Sequence, residues 1–186
     1  ESIEERYVDL AFHYGMAEVE DKTNEYLGKA ADYAKRNFQN RQALGFYDQL
    51  LINLEEKNEL DEQVKTLLKK GAVLELIGDW DDCEITYNKA LALAKKINED
   101  LILGRAHNSL GYLLTLKGNY DTAKGHLEKA EKFFDKSDDA VGKARALGNL
   151  GNLFFRGGHY KEATAYFTQS IELNRTFSEQ GTNAQI

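Results

Sequence analysis

The sequence predicts an all-α protein, a right-handed superhelical α-solenoid of antiparallel helix pairs with about nine helices. Three observations carry this expectation. The 186-residue chain repeats itself with a period of 40 and needs no gaps. Its apolar residues recur at i, i+3 and i+7, the spacing of one face of an amphipathic helix. It contains no proline, and helices joined by tight turns can dispense with a residue that breaks helices.

The period shows in columns of like residues. A turn column reads Phe38, Gly78, Gly118, Gly158. Beside it run Asn40, Trp80, Tyr120, Tyr160 and then Ala43, Cys83, Ala123, Ala163. A large column follows in Tyr47, Tyr87, Leu127, Phe167, and a smaller one in Leu50, Ala90, Ala130, Ser170. Upstream, Ala31, Gly71, Gly111 and Gly151 align, as do Ala34, Leu74, Leu114 and Phe154. Small residues let two helices approach, and large ones fill the space beside the crossing.

Taken in order, the helices are expected at about 3–17, 20–37, 40–57, 61–77, 80–97, 100–117, 120–136, 140–156 and 160–176. The first carries the stripe Ile3, Tyr7, Leu10, Ala11 and Tyr14 and forms a half-repeat, 3–20. Full repeats follow at about 24–60, 64–100, 104–140 and 144–176. Glycine in G-D-W-D, G-N-Y-D and G-H-Y-K ends one helix in a left-handed conformation, and Asp79 or Asn119 is expected to cap the next. Asn98-Glu99-Asp100 and Ser137-Asp138-Asp139 separate repeats. In 120–134, Tyr120, Ala123, Leu127, Ala130, Phe133 and Phe134 share a face; in 144–155, Ala146, Leu147, Leu150, Leu153 and Phe154 do so. Residues 1–176 thus read as one solenoid, because no pair buries its apolar face alone. Residues 177–186 read as a disordered tail, and Phe167 and Ile171 have no polar helix after them to cover them.

These residues resemble the tetratricopeptide repeat. Leu110-Gly111, Gly118, Tyr120, Ala123, Leu127 and Ala130 fit that motif, as do Leu150-Gly151, Phe154, Gly158, Tyr160, Ala163 and Phe167. Block 64–97 fits with Lys70 in place of leucine; block 24–57 fits less closely, through Ala30-Ala31 and Phe38. The 40-residue length and A-L-G-N-L-G-N at 146–152 are similar to the longer, L-G-N-like variants. The stretch from A-F-H-Y to F-Y-D-Q-L-L is similar to the repeats of large bacterial signalling ATPases and adenylate/guanylate cyclases. That likeness implies a regulatory array attached to an enzyme, and the absence of an initiator methionine reads as a piece of a longer protein.

Composition limits the chemistry. The net charge is −7, and nucleic acids call for a basic surface instead. No apolar run reaches the roughly 18 residues of a membrane span, and E-S-I-E-E-R lacks the basic and apolar regions of a signal peptide. One cysteine permits no internal disulfide. A cytoplasmic setting is therefore expected, with neither nucleic acid nor membrane as partner. The four histidines, His13, His107, His126 and His159, form no H-E-x-x-H pair. His107 and Cys83 occupy packing columns and read as structural. Asp79, Asp81, Asp82 and Glu84 lack the glycine and distal glutamate of a calcium loop and read as a charged helix start. Gly148 and Gly151 lie mid-helix and form no phosphate loop. Asn174-Arg175-Thr176 is a chance glycosylation sequon. Neither a catalytic constellation nor a cofactor is expected.

The first helix of each pair is expected to line a concave side. Windows 24–37, 64–77, 104–117 and 144–157 hold ten basic and three acidic residues, which leaves −14 for the rest of the chain. Arg105, Asn108, Tyr112 and Thr115 share one face; Arg145, Asn149, Asn152 and Arg156 form the equivalent face of the next repeat. Lys65, Lys69, Ala72 and Leu76 form that of the one before. Asparagine is a mediocre helix former, so its mid-helix placement calls for a role. A carboxamide can bind a peptide backbone in both directions, and arginine can grip a carboxylate through two bonds. The alternative is a solvated face balancing acidic neighbours. The predicted peptide-binding residues are Lys65, Lys69, Arg105, Asn108, Tyr112, Arg145, Asn149, Asn152 and Arg156, with Leu116 and Phe155 adding apolar contact.

The expected function is a protein-interaction scaffold holding an acidic peptide, a chain terminus or a partner domain. Two alternatives stand beside it: intramolecular regulation of an ATPase or cyclase, and self-assembly into an end-to-end homodimer.

Overall fold

A computed structural model describes residues 6–183, and within them there are nine α-helices and no strand. They are α1 (Tyr7–Met16), α2 (Glu20–Arg36), α3 (Asn40–Glu56), α4 (Leu60–Ile77), α5 (Trp80–Ile97), α6 (Asp100–Leu116), α7 (Tyr120–Lys136), α8 (Ala140–Arg156) and α9 (Tyr160–Asn183). From α2 to α8 every boundary falls within a residue of its predicted place.

The turns explain that regularity. A residue with positive φ stands at every twentieth position: Glu18, Phe38, Asn58, Gly78, Asn98, Gly118, Asp138 and Gly158. At most of these turns the next residue's N–H returns to the carbonyl five residues back. Val19 bonds to Tyr14, Gln39 to Ala34, Asp79 to Leu74, Asn119 to Leu114 and His159 to Phe154, all at 2.9–3.0 Å. This is the left-handed closure that satisfies the last carbonyls of a helix. Glycine adopts it freely at three of the positions; Phe38, at φ 59° and 87% exposed, adopts it against its own Cβ.

The chain forms two compact units, residues 1–93 and 94–186, and the boundary falls within α5. In unit 1, α1 packs on α2, α2 on α3 and α3 on α4. Ala31, Ala34, Ala43, Tyr47 and Val73 make one core cluster; Ala11, Leu27, Leu50 and Leu54 make another. On α1, Tyr14 stacks on Tyr26 with centroids 5.4 Å apart, whereas Phe12 and Met16 are exposed. Ile3 of the expected stripe lies outside the described residues. In unit 2, α6 packs on α7, α7 on α8, and α8 on α9; α6 also touches α8.

The small and large columns meet as the period implies. The Tyr87 ring fills the site of a side chain at Gly71. A Cβ on Gly111 would lie 2.8 Å from Leu127, and one on Gly151 would lie 2.7 Å from Phe167. Cys83 is fully buried with its Sγ 3.4 Å from the Gly71 carbonyl, and burial pushes the thiol up to about 12. Its packing role follows.

Two local expectations need correction. Of the two expected caps, Asp79 accepts from the Asp82 N–H at 3.4 Å, whereas Asn119 makes no side-chain cap to α7; Asp139 caps α8, accepting from the Gly142 N–H at 2.9 Å. Helix α9 continues to Asn183 and takes in most of the stretch expected to be a tail after 176. Residues 177–180 contain neither glycine nor proline, so nothing in them interrupts the helical ladder. Residues 184–186 lie outside the described residues.

Candidate functional site

The predicted site residues fall in both units, and their surroundings differ. Lys65 and Lys69 stand on α4 in unit 1. Lys65 pairs with Asp61 at 2.5 Å and Glu62 at 2.8 Å; Lys69 pairs with Asp32 of α2 at 2.7 Å. Both line a groove of about 380 Å³ whose floor includes Tyr47, Leu50 and Leu54. Around it Asp21, Glu25, Asp32, Glu59 and Glu62 outnumber Lys29, Lys65 and Lys69. The cationic surface expected of this repeat is therefore absent from the groove: acids on α2 and at the start of α4 neutralise its lysines.

Tyrosines on α3 and α5 hold two acids of unit 1 in place. The Tyr47 hydroxyl donates to Asp32 at 2.6 Å, and the Tyr87 hydroxyl donates to Glu75 at 2.8 Å. Burial raises the affinity of Glu75 for its proton, while the Tyr87 hydrogen bond and nearby Lys35 oppose that rise. The pairing was readable from the tyrosine column, since Asp32 precedes Tyr47 by fifteen residues and Glu75 precedes Tyr87 by twelve, but sequence reasoning missed it.

Unit 2 carries the other predicted residues. Arg105 and Tyr112 stand on α6; Arg145, Asn149, Asn152 and Arg156 stand on α8. The three arginines are exposed, and none has a hydrogen bond or ion pair among the described residues. Tyr112, Asn149 and Asn152 are half-buried. The Asn149 amide donates to Asn108 Oδ1 at 2.9 Å, which ties α8 to α6 and leaves the Asn149 oxygen free to accept. Asn108 itself is buried, as is Thr115, whose hydroxyl donates to the Gly111 carbonyl at 2.9 Å. Both are turned away from solvent, Asn108 against Asn149 of α8. Asn108 thus positions Asn149. At the end of α8, Phe155 is 57% exposed and meets Tyr160, 63% exposed, edge-on with centroids 5.6 Å apart.

Behind this face lies a histidine pair absent from the expected site. His107 Nδ1 and His126 Nδ1 are 3.0 Å apart, and the His107 ring stacks on Phe133 at 5.7 Å. At that distance one Nδ1 donates and the other accepts, so the accepting ring is neutral. Burial, the His126 ring and the charges of Lys129 and Lys95 hold His107 down to about 4; burial and the same lysines lower His126. The packing role expected for His107 fits its burial, although its partner, nineteen residues on, was not legible. Among the described residues no cluster of three or more His, Cys, Asp or Glu could hold a metal ion, and no helix is long and apolar enough to cross a membrane.

A tetratricopeptide-repeat family model matches residues 62–136 and again 102–176, more than half of the chain, and the chain belongs to that family. It is 27% identical over 107 residues to outer dynein arm-docking complex subunit 4 of Danio rerio, covering 58% of this chain and 20% of that protein. The chain thus spans a fifth of that relative's length. Among solved structures it resembles the apo form of RapI, with a TM-score of 0.75 and 18% identity over 91% of this chain and 49% of that one. It also resembles a Rap protein complexed with competence and sporulation factor, with a TM-score of 0.73 and 20% identity over 82% of this chain and 43% of that one. At these identities the structural likeness concerns the fold, which is the expected array of repeat helices.

Proposed function

We propose that the chain is a protein-interaction module that binds an acidic segment of a partner on the α6–α8 face of unit 2. The observation that carries this reading is the set of exposed arginines, Arg105, Arg145 and Arg156, which have no carboxylate partner among the described residues, beside the free oxygen of Asn149 and the carboxamide of Asn152. An unpaired guanidinium offers its full set of donors to an incoming carboxylate. Buried Asn108 fixes the Asn149 side chain before any ligand arrives, which reduces the entropy lost on binding. The structural likeness to a Rap protein complexed with a factor gives the reading general support.

The test is titration of a labelled acidic octapeptide against the whole chain by fluorescence anisotropy. The variant Arg105→Ala/Asn152→Ala/Arg156→Ala is expected to keep its helical circular dichroism, since the two arginines are exposed, Asn152 is half-buried and alanine favours a helix. Loss of two charge-assisted contacts is expected to weaken binding by at least about 30-fold. Unchanged affinity in that variant refutes the site assignment.

A further inference from the structure

The arrangement of unit 2 also constrains the shape of its ligand, and this inference rests on the binding face proposed above. Arg145, Asn149, Asn152 and Arg156 follow each other at intervals of four, three and four residues, so they form one stripe along α8. At about 1.5 Å rise per residue the two arginines stand roughly 16 Å apart along the helix axis. Between them the Asn149 oxygen can accept and the Asn152 carboxamide can both donate and accept. Such groups are matched by unpaired backbone N–H and C=O, which an extended segment has and a helical one has already used.

Asn152 has two neighbours on the helix surface at its C-terminal side, Phe155 at i+3 and Arg156 at i+4. Phe155 and Tyr160 together present an exposed aromatic corner there. An exposed aromatic pair gains most by covering an apolar side chain. The stripe therefore reads, from the N-terminal end of α8, as cation, two amides, cation and aromatic corner.

We infer that unit 2 selects an extended segment with two carboxylates four residues apart, followed two residues later by an apolar or aromatic side chain. Four residues of extended chain span roughly 13 Å and return side chains to the same face. Flexible arginines close the remaining distance. The first carboxylate meets Arg145, the second meets Arg156, and the apolar side chain rests against Phe155 and Tyr160. Arg105 on α6 contributes attraction without setting the spacing.

Three labelled nine-residue peptides test this against the whole chain by anisotropy. The first has glutamates at its second and sixth residues and phenylalanine at its eighth, with serine or glycine elsewhere. The second has the same composition with adjacent glutamates. The third has alanine in place of the phenylalanine. The first is expected to bind about tenfold more tightly than the second and about fivefold more tightly than the third. In Phe155→Ala/Tyr160→Ala, the first and third peptides should bind alike. In Arg145→Ala/Arg156→Ala, the preference over the second peptide should vanish along with most of the affinity.

Equal binding of the first and second peptides, with the arginine variant still weak, overturns the spacing and leaves the binding face intact. A phenylalanine preference that survives Phe155→Ala/Tyr160→Ala overturns the aromatic corner. Wild-type affinity in the arginine variant, or no binding of any peptide by the wild-type chain, overturns the binding face itself.

Discussion

Unit 1 and unit 2 use the same helix hairpin, yet four lysines on the first helices of unit 1 and three arginines on those of unit 2 stand in opposite surroundings, while Lys143 of α8 pairs with Asp135. In unit 1, Lys29, Lys65, Lys69 and Lys70 each lie within 2.5–2.8 Å of a carboxylate. In unit 2, Arg105, Arg145 and Arg156 have none among the described residues. One part of the difference involves a column on the second helices, because the acid that Lys69 meets is also held by a tyrosine. Tyr47 and Tyr87 carry hydroxyls that hold Asp32 and Glu75. Their equivalents in unit 2 are Leu127 and Phe167, which pack on Gly111 and Gly151 but hold no acid. At the position of Asp32, the later repeats have Ala72, Tyr112 and Asn152. Where the hydroxyl and its acid are both missing, no carboxylate stands at that position to meet a basic neighbour.

The two units share the contact of a large side chain on glycine, and the largest expected effect comes from disturbing it. Gly71→Ala forces a methyl into the Tyr87 ring and should cost about 3 kcal/mol in urea unfolding. Gly111→Ala meets Leu127, which can change rotamer, and should cost about half as much. Equal costs would break the idea that the stiffness of a ring sets the penalty.

Acid should act on unit 2 through its histidine pair. The unfolded chain takes up protons as pH falls through about 6.5, whereas folded His107 resists until about 4. The unfolded state therefore binds more protons in that window, and stability is lost as pH falls from 6.5 to 4, by roughly 2–3 kcal/mol. His107→Gln should flatten that part of the urea midpoint against pH; an unchanged slope assigns the loss to other groups.

A smaller effect sharpens the comparison most directly. Phe167→Tyr with Asn152→Asp rebuilds in unit 2 the fifteen-residue spacing of Tyr47 and Asp32. The new carboxylate should neutralise Arg156 and weaken the acidic octapeptide about tenfold, near 1.4 kcal/mol. Undiminished affinity would separate the tyrosine–acid pairing from the charge of the face. Least of all, Phe38→Gly should raise stability by about 1 kcal/mol, since it relieves a left-handed residue at a turn where Gly78, Gly118 and Gly158 are already glycine. Thermal unfolding of the single variant decides this.

The fold was legible because its signals are local and repeated. Turn residues every twenty positions and small and large columns every forty fix helix ends and faces, and each copy of the repeat corroborates the others. The site was only partly legible. Helical spacing placed Arg145, Asn149, Asn152 and Arg156 on one stripe, but it gave Asn108 and Thr115 the same exposure, and both are buried, Asn108 against Asn149 of α8. Spacing also treated Lys65 and Lys69 as the equals of the arginines.

The sequence by itself determined the helices, their hairpins and the segregation of basic residues onto the first helix of each pair. Only the tertiary structure decided which of those charges remain available, because Lys69 meets Asp32, Asn149 meets Asn108 and His107 meets His126 across 37, 41 and 19 residues of chain. Backbone geometry follows from neighbours along the chain, whereas the partner of a charge or an amide depends on which helix lies beside it.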